Sequence, residues 1–271
     1  MKLAISNIAW EPAEDAKVAG LMWAHGFAGV EIAPTKYWPQ PLAAGAADIA
    51  AVRGFWERRG LPIIAMQSLL FGTQDLTLFE SEAKRRATRD YLAGILALAG
   101  KLGAKALVFG SPKNRLKGAL TDDQAETIAV PFFRALGEVA VHHHTCLCVE
   151  PNPAAYGCDW ITTSAQGLAL VRKVDHPGFG LHLDAAGMTL AGEDLPEAIA
   201  AADRAIRHFH ASEAQLAPLG KGGTDHAAAA GALRSAGYTG WVSIEMLVTG
   251  TADRMAAVEQ ALDLAAAAYG R

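Results

Sequence analysis

Thr145-Cys146-Leu147-Cys148-Val149-Glu150, Gly180-Leu181-His182-Leu183-Asp184, Arg207-His208-Phe209-His210 and Trp241-Val242-Ser243-Ile244-Glu245 are four runs of strand length, and each ends in a residue with metal-ligand chemistry. Glu150 and Asp184 are separated by 34 positions, Asp184 and His210 by 26, and His210 and Glu245 by 35. A strand-helix-strand unit takes roughly 30 residues, so successive parallel strands would each deliver one ligand to the same end of a sheet. Two Glu, one Asp and one His form a hard, oxygen-rich donor set for a divalent cation such as Mn²⁺, Mg²⁺ or Zn²⁺. Taken singly, Glu150 reads equally well as an ion-pair partner and Asp184 as a turn or N-cap residue. A buried Glu at the end of an apolar run, as Glu245 is, is costly without a partner. The common register of the four argues for one shared site.

Working outward, the same alternation continues through the chain. Strand candidates cover residues 3–8, 29–32, 63–67, 106–109, 145–150, 180–184, 207–210 and 241–245. Most lack the polar alternation of a half-exposed sheet, which suits strands buried on both faces. Longer, Ala-rich segments at 15–25, 43–59, 81–102, 122–144, 163–173, 195–202, 225–236 and 252–269 are predicted helices. Thr121 and Thr162 serve as caps, and Gly26, Gly60, Gly103 and Gly237 mark helix ends. No linker or composition shift divides residues 1–271. Eight strand-helix units in one domain of ~250 residues favour a closed (β/α)8 TIM barrel over an open doubly wound sheet. Activity is then expected at the C-terminal strand ends, where the four candidate ligands lie.

Composition narrows the classes. The 271 residues are 51% hydrophobic and 19% charged, with a formal charge of −4. That balance provides a large core and argues against nucleic acid or an anionic membrane as partner. The three cysteines make no disulfide framework, and Cys146 and Cys148, on one face of a strand, read as buried thiols. The N-terminus lacks a signal-peptide pattern, and no uncharged run approaches the ~18 residues of a membrane span. A cytoplasmic protein is expected.

Other residues near the same strand ends are candidates for substrate contact. Lys113 and Arg115 follow the fourth strand, and Lys221 lies in Leu219-Gly220-Lys221-Gly222-Gly223 after the seventh, where barrels often bind phosphate. His182 and Glu213 flank the ligands and suit orienting or proton-carrying roles; His208 lies deeper than His210. Trp10, Trp38, Trp160 and Phe71 follow strands, where core packing is the plainer reading and a pocket wall the alternative.

The set resembles the xylose isomerase-like TIM barrel superfamily, the sugar phosphate isomerase/epimerase group that includes D-tagatose 3-epimerase-like enzymes. The resemblance runs from Gly29-Val30-Glu31-Ile32 to Trp241-Val242-Ser243-Ile244-Glu245. It implies metal ligation by Glu150, Asp184, His210 and Glu245, with Glu150 and Glu245 also as the catalytic proton-transfer pair. The implied cofactor is one divalent ion, manganese first, with magnesium, cobalt and zinc as alternatives. The implied activity is isomerisation or epimerisation of a carbohydrate, free or phosphorylated, by proton transfer through an enediolate. A metal-dependent dehydratase of a keto-sugar or keto-inositol, and a catalytically silent sugar-binding barrel, are the alternatives on this fold. An endonuclease IV-like nuclease fits poorly, because its three-metal cluster needs more histidines. Homo-oligomers are common in the group. The chain departs from the epimerase pattern at Tyr156, Gly187 and Leu216, where those enzymes carry Glu, His and Arg, which separates the metal site from the grip on a free ketose.

Overall fold

The computed structural model describes residues 1–251 and 253–270. Eight parallel strands close into a barrel in chain order: β1 (Lys2–Ser6), β2 (Gly29–Ile32), β3 (Ile63–Met66), β4 (Ala106–Phe109), β5 (Cys146–Val149), β6 (Phe179–Asp184), β7 (Ile206–Ser212) and β8 (Trp241–Glu245). The closing pair is β1 with β8, Leu3 opposite Val242 and Ile5 opposite Ile244. Around them run α1 (Asp15–Ala24), α2 (Ala46–Glu57), α3 (Glu82–Leu102), α4 (Asp122–His142), α5 (Ser164–Val174), α6 (Ala185–Leu190), α7 (Leu195–Ala202), α8 (His226–Ser235) and α9 (Arg254–Tyr269). This is the (β/α)8 barrel expected from the alternation. Most strand residues are buried on both faces, which is why the strands read as continuous apolar runs.

Local chemistry sets the helix boundaries. Thr121 starts α4 with a capping box, its hydroxyl accepting from Gln124 N while the Gln124 side chain accepts from Thr121 N. Gly103 ends α3 at φ 91°, a left-handed conformation that favours glycine. For α5 the capping hydroxyl belongs to Thr163, one residue later than expected, because Thr162 is engaged by the Gln166 side chain. The expected helix 252–269 is described from Arg254, its first position, Ala252, lying outside the described residues.

Two departures reshape the mouth of the barrel. The small run after Asp184, outside the predicted helices, forms α6, with Asp184 as N-cap. Strand β7 runs two residues past His210, so Ser212 rather than His210 ends it. The outer core is aromatic around β4, α4 and β6: Phe133 stacks on Phe179 at 4.7 Å and meets Phe109 and Phe132 edge-on. Full burial of one such ring stabilises the fold by ~1.5–3 kcal/mol. Inside the barrel a small apolar cluster contains Ala4, Ile64, Ala65, Ala106 and Cys148. Polar side chains, among them Ser6, Glu31, His182, His208, His210 and Ser243, are also buried there.

Candidate metal and catalytic site

Parallel register brings the strand-end residues to one place. Asp184 pairs with His210, His182 with His208 two residues deeper, and Ser212 with Glu245. Glu150 follows β5 directly, its N–H still donating to Phe109 O at 3.1 Å. A cavity of about 310 Å³ opens here, with Glu150, Asp184 and Glu245 in its wall beside Asn152, Tyr156 and Leu216. Among the described residues lining it there is no Lys or Arg. A larger groove between α5 and α7, about 400 Å³, shows no comparable convergence of ligand atoms.

Each side chain is held by identifiable contacts. Asp184 Oδ1 accepts from Gly187 N at 2.5 Å, and its Oδ2 accepts from the Ser212 hydroxyl. Glu150 Oε2 accepts from Asn152 Nδ2 at 3.1 Å. Gly110 leaves this carboxylate its room, because a Cβ there would crowd Glu150 Oε2. The backbone carbonyl of Glu150 is clamped by Arg115, whose Nη2 donates at 2.7 Å. His210 faces two ways. Its Nε2 donates to Glu31 Oε2 at 3.0 Å, and its Nδ1 lies 3.3 Å from Glu245 Oε2 and 3.9 Å from Asp184 Oδ2. That Nδ1 is buried and, among the described residues, has no hydrogen-bond partner in good geometry.

One potential ligand atom from each of Glu150, His182, Asp184 and His210 lies within 4.8 Å of the others. This grouping contains His182 where the sequence reading has Glu245; Glu245 joins through its approach to His210 Nδ1. His182 is fully buried, neither ring nitrogen has a hydrogen-bond partner among the described residues, and its Nε2 is 3.7 Å from Glu150 Oε1.

The assembled charges oppose one another. Burial, then the neighbouring Glu245 and Asp184 carboxylates, push the Glu150 carboxyl up to about 8. Burial and Glu245 also push Asp184 up to about 6, against the lowering effect of His210, the Ser212 hydroxyl and Gly187 N–H. For His210, burial favours the neutral ring, but Glu31 and Glu245 outweigh it and hold the imidazole well above its ordinary value. Glu31 moves the other way, since His210 and His208 overcome the cost of its burial and hold it well below the carboxylate range. Burial, reinforced by His210 and His208, holds His182 well below the imidazole range.

Several expected substrate groups lie elsewhere. Arg115 is fully buried and serves the backbone, donating to Glu150 O and to Trp160 O, so it is a clamp and not a phosphate grip. Lys113 lines a separate cavity of about 300 Å³ with Thr77, Phe79 and Glu80. Lys221 is exposed in the loop after β7 and outside the cavity wall. Glu213 borders the cavity, but its carboxylate turns into its own loop, accepting from Gly220 N, Thr224 N and His226. Trp10 packs on Trp56, Trp160 packs on Phe79, Trp38 lies against Tyr37, and Phe71 is exposed, so none walls the site. The residue that sequence reasoning missed is Glu31. Its one sequence signal is an acidic residue inside an otherwise apolar strand, Gly29-Val30-Glu31-Ile32.

Residues 21–268 match the family model described as xylose isomerase-like TIM barrel. The chain belongs to that family. A protein of Synechocystis sp. named "Probable ketose 3-epimerase" is 28% identical over 222 residues, covering 81% of this chain and 74% of that protein. The barrel superposes on D-psicose 3-epimerase from Clostridium cellulolyticum, solved with D-tagatose, with a TM-score of 0.83, 19% identity and 99% of each chain covered. It also superposes on the IOLI protein, solved with a zinc atom, with a TM-score of 0.78, 19% identity and 100% and 98% of the two chains covered. These two structural likenesses speak to the fold of the xylose isomerase-like barrel.

Proposed function

We propose that this chain is a divalent-metal-dependent epimerase or isomerase acting on a neutral, unphosphorylated sugar. The observation that carries the reading is the convergence of Glu150, Asp184 and Glu245 around the unpartnered Nδ1 of His210 in one cavity. The residues present fit a divalent ion. Three carboxylates are gathered in one wall, where burial and then neighbouring negative charge raise the proton affinity of Glu150 and Asp184, and among the described residues a buried imidazole nitrogen faces them without a hydrogen bond. Glu150, Asp184, His210 and Glu245 would hold the ion, and an oxygen-rich donor set of this kind suits manganese. The relative named "Probable ketose 3-epimerase" supports the reaction class.

When bound, such an ion supplies Lewis-acid polarisation of a sugar carbonyl and the adjacent hydroxyl. The chain supplies the proton chemistry. Glu150 and Glu245 come from strands three positions apart around the barrel, so their carboxylates can address a substrate carbon from two sides. One carboxylate takes the proton from the carbon beside the carbonyl, and the other returns a proton to the opposite face, which inverts that centre. Asn152 fixes Glu150 Oε2 for this exchange, and Ser212 and Gly187 fix Asp184. Tyr156 and Leu216 complete the wall with bulk and no positive charge. The preference for a neutral sugar follows from the wall's carboxylates and from the lack of Lys or Arg among the described residues that line it, because a phosphate would meet negative charge there.

The test is proton exchange. Purified protein with Mn²⁺ is incubated in D₂O with matched free and phosphorylated ketoses and followed by NMR. Deuterium entering one carbon of a free sugar, with no loss of water, is expected. Exchange confined to phosphorylated sugars would overturn the substrate class; no exchange with any sugar would overturn the reaction.

A further inference from the structure

We propose that Glu31 is a positioning residue for this site: it takes the Nε2–H of His210 and so commits the Nδ1 of that ring to the cavity. The inference rests on the reading of His210 as a metal ligand. Glu31 lies on β2 and His210 on β7, and only closure of the barrel brings them to 3.0 Å. The same Glu31 oxygen accepts from His208 Nε2 at 3.4 Å, while its other oxygen has no partner among the described residues. Both elements are irregular at this contact. The β2–β3 register shifts between Val30 and Glu31, and the β6–β7 register shifts between Leu181 and His182, which faces His208. Such shifts re-aim side chains and recur beside active sites.

The chemistry of the acceptor makes the contact directional. An ionised carboxylate only accepts hydrogen bonds, so the ring nitrogen facing Glu31 must carry hydrogen. As a metal ligand the imidazole must be neutral, with one N–H, which leaves the opposite nitrogen with a free lone pair. In His210 that nitrogen lies between Glu245 Oε2 and Asp184 Oδ2, at 3.3 and 3.9 Å. A histidine that binds metal through one nitrogen commonly donates the other N–H to a carboxylate, which fixes the ring's tautomer and orientation. An apolar side chain of the same volume at position 31 would avoid the cost of burying a charge, but it would not select the tautomer. Glutamine would fill the space without selecting it either, since an amide can donate or accept.

The test compares wild type, Glu31→Gln and His210→Gln by titrating metal-free protein with Zn²⁺ against a competing chelator. Glu31→Gln is expected to weaken binding ~10–100-fold, with the far-ultraviolet circular dichroism unchanged. NMR of ¹⁵N-histidine-labelled, zinc-loaded wild type should show His210 with hydrogen on Nε2 and none on Nδ1, a readout that needs no variant. Equal zinc affinity in Glu31→Gln, or hydrogen found on Nδ1, overturns the positioning role. If His210→Gln binds zinc as tightly as wild type, the ligand reading itself falls and takes the inference with it. If His210→Gln weakens binding and Glu31→Gln does not, only the inference falls.

Discussion

Two groups of acidic and imidazole side chains adjoin inside this barrel, and they solve the problem of burial in opposite ways. In the interior, Glu31 meets His208 and His210, and its carboxyl is held low by that company. At the mouth, Glu150, Asp184 and Glu245 face one another, and the first two are pushed up to about 8 and about 6. The residue types are nearly the same; the partners differ. Interior pairing gives a fixed frame, whereas the mouth carries negative charge that a cation would relieve. His210 belongs to both groups, with one nitrogen in each.

The largest test of this contrast removes a mouth carboxylate. Glu150→Gln or Glu245→Gln should lower turnover ~10²–10⁴-fold, the span associated with positioned acid-base groups, while thermal melting of the metal-loaded protein stays cooperative. Steady-state kinetics on the sugar identified by deuterium exchange, with metal content measured alongside, provides the check. Full activity in either variant with the ion present would mean that the mouth carboxylates do no proton transfer.

The mouth was legible in the sequence and the interior frame was not, for a physical reason. Glu150, Asp184 and Glu245 end apolar runs, and parallel strands with helical crossovers deliver strand ends to one side whatever the details. Local periodicity and spacing therefore sufficed. Glu31 lies in the same kind of run, but its partners are 177 and 179 residues away and meet it only when the barrel closes. Loop charges were misleading for a related reason: residue type does not reveal which way a loop turns its side chain. Arg115 points inward to the carbonyls of Glu150 and Trp160, and Glu213 curls onto the N–H groups of Gly220 and Thr224. Helix α6 was hidden by its shortness, although Asp184 followed by Ala185-Ala186 supplies a cap and strong helix formers.

The second test uses pH. A carboxyl whose folded value is raised binds its proton more tightly in the native state, so its stabilising contribution is complete below the unfolded value and declines as pH rises through the folded one. For Glu150 the interval runs from 4.5 to about 8, and for Asp184 from 3.8 to about 6. Chelator-treated protein should therefore lose stability, on the order of a few kcal/mol, as pH rises from about 5 to about 8 in denaturant titrations. Glu31, held low, has its stabilising contribution in place above 4.5 and loses it only as pH falls further. Saturating Mn²⁺ should flatten the profile by binding the ionised carboxylates in the native state. A metal-free profile that is already flat would erase the distinction between mouth and interior.

A smaller effect is expected from Gly110→Ala. The new methyl would meet the far end of the Glu150 side chain, a flexible group that can swing away at little cost in stability. Glu150 Oε2 would then leave its hydrogen bond with Asn152 Nδ2. Turnover should drop about 10-fold, as befits a misplaced acid-base group, with a melting temperature near wild type. A variant that melts much earlier would point to backbone packing at Gly110 as the stronger constraint.

Ser212→Ala sharpens the comparison at its finest scale, because it removes a neutral donor from a mouth carboxylate where Glu31→Gln removes a charge from the frame. The Ser212 hydroxyl donates to Asp184 Oδ2 and also accepts from Ala186 N at 3.1 Å, tying the end of β7 to the start of α6. Without it Asp184 keeps the Gly187 N–H on its other oxygen, so the carboxylate stays in place but loses one of the contacts that lower its proton affinity. A net hydrogen-bond contribution of about 1 kcal/mol corresponds to roughly a fivefold weaker affinity for Mn²⁺, measurable by titration against a chelator. The loss should shrink as pH rises, since an Asp184 that is already ionised no longer needs the hydroxyl to favour release of its proton. A loss that does not change with pH would assign Ser212 to holding α6 in place, leaving the proton affinity of the mouth to the charges alone.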